Sequence, residues 1–311
     1  MHPSLSVIFF TTLSGAGYGL LALTGILAPL GAVPQDRRFG LAALAVALAL
    51  IAAGLLSSLF HLGRPERAWR AFSQWRSSWL SREGVAAVIT FVPALAFAGV
   101  WIFGGAVSAI LGFLAAAGAI TTVVCTGMIY RSLKPIPRWH NRWVVPNYVA
   151  LAGMTGSAWL LLLARLDQVQ PLLPLLALAA TAAAAILKAA YWRSIDAPAP
   201  SPTAGSATGL GRLGTVRLFE APHTSDNYLL KEMGFRIARK HAAKLRRIVL
   251  ISGFVAPALL FCIALVTSGA LAALPALVAA ALMMLGVFVE RWLFFAEAQH
   301  VVTLYYGGSP A

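Results

Sequence analysis

The 311-residue chain is 59% hydrophobic and 11% charged, with a mean hydropathy of +0.80 and a net charge of +14. A water-soluble domain carries about a quarter charged residues, so the composition excludes one and points to an integral membrane protein. The excess of 24 Lys and Arg over 10 Asp and Glu lies between apolar runs, which suits lipid headgroups and membrane orientation better than nucleic acid.

Eight spans are predicted, at 4–30, 40–61, 85–104, 106–130, 147–166, 171–192, 248–269 and 273–295. Each is near the length of a bilayer-crossing helix, and helices satisfy their own backbone inside lipid. The first is read as a transmembrane helix and not a cleaved signal, because Met1-His2-Pro3-Ser4 lacks a basic leader and the apolar run is long. Gly15, Gly17 and Gly19 within it suit close helix contact. Cys125 and Cys262 fall in apolar spans and read as small core residues.

Four connections are short, so the helices they join are antiparallel neighbours. The three long ones, 62–84, 131–146 and 193–247, carry five, four and ten Lys or Arg, and the opposite side carries Arg37, Arg38 and Arg165. The positive-inside bias then places both termini and all long connections in the cytoplasm. The whole chain reads as one transmembrane domain with a long cytoplasmic loop at 193–247.

Each long connection has its own character. Residues 64–79 interleave Trp69, Phe72, Trp75 and Trp79 with Arg64, Arg67, Arg70 and Arg76, and Pro65 can begin a helix. The pattern predicts a short amphipathic helix lying in the interface, serving either headgroup anchoring or substrate entry. Residues 131–146 contain three prolines and are expected to be extended. Residues 193–247 open as a linker through about 215, pass through His223-Thr224-Ser225-Asp226-Asn227-Tyr228, and end in a basic helix from Arg236 to Arg247.

All six histidines (2, 61, 140, 223, 241 and 300) lie outside the middles of the spans. Paired axial ligands for membrane haem are therefore not expected, and no metal-cluster spacing, phosphate loop or nucleophile elbow is present. What remains is a set of ionisable groups at one membrane face. His61 ends the second span and Glu83 starts the third, with Glu290, Arg291, Glu297 and His300 at the end of the eighth. An imidazole and a carboxylate can hydrogen-bond the carbonyl oxygens of a quinone head and carry its protons. The plain alternative is that His61 caps its helix and Glu83 pairs with Arg82 or Arg76.

The run His61-Leu62-Gly63-Arg64-Pro65-Glu66-Arg67-Ala68, followed by Leu80-Ser81-Arg82-Glu83, resembles the membrane anchor subunit of the dimethyl sulfoxide reductase family. Weaker echoes are Ile129-Tyr130 with Pro137-Arg138-Trp139, and Glu290-Arg291. The order of eight spans matches as well, so the resemblance covers nearly the whole chain. It implies two four-helix bundles and a haem-free anchor. The partners implied are a molybdopterin catalytic subunit and an iron–sulfur subunit. It also implies a site for ubiquinone or menaquinone. The functional histidine and glutamate of the family fall on His61 and Glu83; Arg64, Arg67 and Trp79 are expected to shape the entrance of the site or orient the quinone head. In reductases whose catalytic face is periplasmic this motif points outward, whereas the charge bias here points it inward. That departure, together with the long 193–247 loop, resembles the branch of cytoplasmic sulfite-oxidising complexes, in which the anchor reduces quinone in a bacterial inner membrane. A quinol-oxidising reductase anchor, a secondary transporter and a purely structural anchor are the competing expectations.

Overall fold

The computed structural model describes residues 4–62, 64–165, 172–197, 203–217, 219–220, 240–267, 273–298, 300–301 and 304, with the side chains of His61 and Arg165 outside that description. Eight helices are long and apolar enough to cross a membrane. They are α1 (Leu5–Leu27), α2 (Arg37–Ser57), α3 (Trp79–Ile102), α4 (Ala109–Arg131), α5 (Val144–Arg165), α6 (Leu172–Asp196), α7 (Ala242–Val266) and α8 (Ala273–Ala296). No strand occurs among the described residues.

Helices α1 and α5 form the centre. In each, 72% of the most apolar stretch is buried, against 33–44% in the other six. Helix α1 packs on α2, α4, α5 and α8, while α3 packs on α4, α6 on α5 and α7, and α7 on α8. Glycine makes the central crossing possible. A Cβ on Gly19 would collide with the Ala152 carbonyl oxygen, and one on Gly156 with the backbone of Gly19 and Leu20. Gly17 likewise faces the Ala47 backbone of α2, but Gly15 has open space, so only two of the three expected contacts form. The outward faces carry Phe60, Val92, Phe103 and Ile186, all largely exposed, as lipid-facing surface requires.

The structure moves several expected boundaries. Helix α3 begins at Trp79 rather than at residue 85, so Glu83 lies within its second turn. Its polar start stays helical because Ser81 and Glu83 turn inward and are buried. The interfacial segment is a 3-10 helix over Pro65–Phe72 followed by turns at 73–77, shorter than the expected helix. Ser73 bonds back to the Arg70 carbonyl, a local alternative that ends the helix. Trp69, Phe72 and Trp75 remain exposed.

The 131–143 connection is not extended. Consecutive turns, including Ile136 N–H to Leu133 O (3.1 Å) and Trp139 N–H to Ile136 O (2.9 Å), compact it. The reason is apolar: Ile136 and Trp139 are buried. Part of the expected linker is also ordered, as a capped helix Ala204–Thr208 and a 3-10 turn Leu210–Arg212. Of the described residues of the expected basic helix, Lys244, Arg246 and Arg247 belong to the first turns of α7, and Lys240 precedes it. The 223–228 run and residues 236–239 lie outside the described residues. Helix α7 widens to a π-helix over Val249–Val255, which periodicity of 3.6 does not reveal. Cys125 is buried as expected, but Cys262 is exposed on α7.

Candidate functional site: a buried polar layer at one end of the helices

The antiparallel order gathers the start of α1, α3, α5 and α7 with the end of α2, α4, α6 and α8. Ser57 Oγ donates to the Ser6 carbonyl across the α1–α2 ends (3.1 Å). At this end five charged side chains are buried: Glu83, Lys188, Glu290, Arg291 and Glu297. Buried charges require partners, and these five find them in three ways: a hydroxyl for Glu83, one another for Lys188, Glu290 and Arg291, and Arg246 for Glu297.

Glu83 accepts a hydrogen bond from the Thr126 hydroxyl of α4. The same hydroxyl lies 3.0 Å from the Thr122 carbonyl, and Thr122 Oγ1 meets Thr90 Oγ1 of α3 at 3.3 Å. A ladder of hydroxyls therefore follows the α3–α4 seam inward from the carboxylate. The arginine pairing considered from the sequence does not form. Arg82 donates instead to the carbonyls of Trp75 (3.0 Å) and Arg76 (2.7 Å). Its guanidinium lies 4.3 Å from the Trp79 ring centroid.

Across the layer, Lys188 of α6 pairs with Glu290 of α8, whose second oxygen lies 3.5 Å from Arg291. Arg291 stands 3.6 Å over the Tyr148 ring of α5, and Tyr148 stacks on Tyr130 of α4 at 5.7 Å. Trp139 stacks on Phe294 at 5.6 Å and donates to its carbonyl at 3.0 Å. Arg246 of α7 closes the surface side, bonding both Asp196 and Glu297.

The predicted site residues are therefore only partly brought together. Trp79 and Glu83 stand one turn apart on α3. Phe72 folds back against Gly84, so the 3-10 segment lies over that same helix start. Arg64 and Arg67 are exposed, Arg67 only 3.9 Å from Glu66, and such a surface pair is weak. The backbone of His61 closes the 3-10 turn Ser58–His61 that continues α2; its side chain lies outside the described residues. Sequence reasoning misses Thr126. Its signal is present nonetheless, since Thr122, Thr126 and Tyr130 recur at helical spacing on one face of α4.

A profile described as DMSO reductase anchor subunit (DmsC) matches residues 1–307. The chain belongs to this anchor-subunit family. A sulfite dehydrogenase subunit from Allochromatium vinosum is 34% identical over 331 aligned positions, covering 98% of this chain and 99% of that protein. The family role is that of a multi-pass membrane anchor in a DMSO-reductase-type molybdoenzyme complex, which favours an anchor over a secondary transporter. Among the described residues no group of His, Cys, Asp and Glu could hold a metal ion.

Proposed function

We propose that the chain is a quinone-reactive anchor, exchanging electrons between membrane quinone and an iron–sulfur subunit that docks with its molybdopterin partner on the long-connection face. The observation that carries this reading is the Glu83 carboxylate, buried at a helix start and held by Thr126 rather than by an arginine. Such a carboxylate can hold and release a proton, whereas a tight ion pair would fix its charge. A bound quinone supplies the two-electron, two-proton couple. Glu83 holds a proton at its carboxyl, His61 is proposed to act beside it, and Trp79 and the 3-10 segment exclude water from the helix start. Arg64 and Arg67, both exposed, are proposed for the entrance.

The charge bias supports a cytoplasmic position for this face, with both termini inside. The helix pairings support two four-helix bundles, α1–α4 and α5–α8. Two directions of electron flow are open. The family description, a reductase anchor, favours quinol oxidation. The likeness to a sulfite dehydrogenase component favours sulfite oxidation with quinone reduction in a bacterial inner membrane. The purified complex separates the two: sulfite with a quinone analogue drives one, a quinol analogue with dimethyl sulfoxide the other. Substituting His61 or Glu83 abolishes quinone-linked turnover while dye-linked activity of the catalytic subunits persists. Intact quinone turnover in both variants rejects the site.

A further inference from the structure

A second feature stands apart from Glu83. Between the ends of α6 and α8 and the start of α7 lies an open cavity of about 550 Å³, within the ~300–1,000 Å³ range of ligand sites. Arg138, Lys240, Arg246 and Arg247 line it, against the carboxylates of Asp196 and Glu297. Arg246 is engaged by both carboxylates, and Arg138 donates to the Glu297 carbonyl at 2.9 Å. Those contacts build the wall and leave Lys240 and Arg247, both exposed, as its outer cations. Among the described residues the cavity thus carries four cations against two carboxylates.

Its remaining wall is apolar. Leu250 lines the cavity and is itself exposed. Below it on α7 run Ile251, Val255, Leu259, Ile263 and Val266, all exposed. The π-helix Val249–Val255 begins directly under the cavity, and such distortions recur at functional sites. A cationic recess at one end of a helix, continuous with an apolar track along it, is complementary to an amphiphile with a negative head.

We infer that this cavity binds the phosphodiester headgroup of an anionic phospholipid, with an acyl chain lying along the exposed face of α7. Basic pockets between transmembrane helices recognise such headgroups. A free phosphate would use the cations but leave the apolar track without a role. An acidic segment of a partner subunit would do the same.

The test uses the whole purified complex in nanodiscs of phosphatidylcholine doped with phosphatidylglycerol, read by native mass spectrometry and by lipid extraction. Lys240→Ala/Arg247→Ala removes the two outer cations without touching the Arg246 network. The wild-type complex is expected to retain phosphatidylglycerol over phosphatidylcholine. The variant should hold it on the order of thirtyfold more weakly, since each cation contributes about 1 kcal/mol. A variant that assembles and retains the lipid equally overturns the proposal. So does displacement of the lipid by millimolar inorganic phosphate, which would make the cavity a phosphate site. Loss of the partner subunits with lipid retention unchanged would make it a protein-docking surface. Lys240→Arg/Arg247→Lys keeps both charges and should retain the lipid as wild type does; loss there would overturn the electrostatic basis of the site.

Discussion

Thr126, near the end of α4, donates its hydroxyl hydrogen to the carboxylate of Glu83, near the start of α3. The bond joins the two helices at the outer end of the hydroxyl ladder along their seam. It also orients the one buried acid of the layer that is not part of an ion pair among the described residues. Thr126→Val should lower quinone-linked turnover about ten- to a hundredfold, the kinetic equivalent of losing a hydrogen bond to a charged group worth about 1.5–3 kcal/mol. Thr126→Ser should retain it. Steady-state assays with a quinone analogue and a dye side by side decide the matter, and equal quinone rates in Val and wild type would show the bond to be incidental.

Lys188 and Glu290 make a fully buried pair linking α6 to α8. Removing one partner strands a charge, so Lys188→Met or Glu290→Gln alone should destabilise by about 3–5 kcal/mol. The double variant Lys188→Met/Glu290→Leu should recover only part of that loss, because it removes the stranded Lys188 charge but takes from buried Arg291 the Glu290 oxygen 3.5 Å away. Thermal unfolding of the detergent-purified protein gives the comparison. Additive losses in the double variant would show that the two side chains act independently.

The α1–α5 crossing predicts a sharp positional contrast. Gly19→Leu places side-chain atoms where the Ala152 backbone already lies, whereas Gly15→Ala enters open space. The first should prevent accumulation of folded protein, and the second should shift stability by under about 1 kcal/mol. Membrane yields and size-exclusion profiles measure both; a well-folded Gly19→Leu would mean the helices cross elsewhere.

His300 lies beyond α8, and burial lowers its pKa from the ordinary histidine value. Folding therefore favours the neutral ring. Its stability contribution is present above the unfolded pKa of about 6.5 and declines as pH falls from there through the folded pKa. His300→Gln should flatten the loss of thermal stability below neutral pH while changing little in alkali. A melting-temperature series across that window provides the readout, and parallel curves for the two proteins would contradict the assignment.

The eight spans and their order were legible because twenty-residue apolar runs have few competing explanations. Glu83 was also legible, as a carboxylate beside an apolar run, but its environment was not. Its helix starts at Trp79 because Ser81 and Glu83 are buried and Glu83 finds a partner on α4, a tertiary fact that no local pattern carries. The same holds for the proline-rich 131–143 connection. Its prolines suggest extension, yet burial of Ile136 and of Trp139, which stacks on Phe294 of α8, bends it into turns. Lys188 and Glu290 stand 102 residues apart, so each looked like an isolated end-of-span charge until the helices were assembled.

All the buried charged side chains among the described residues lie at one end of the helices, and none lies in the opposite half. At the proposed site, protons exchanged at Glu83 would enter and leave through the same surface on which the iron–sulfur partner is proposed to exchange electrons. No charge would cross the hydrocarbon during turnover. Catalysis at such a site is electrically silent, so collapsing the membrane voltage with an ionophore should leave its rate unchanged.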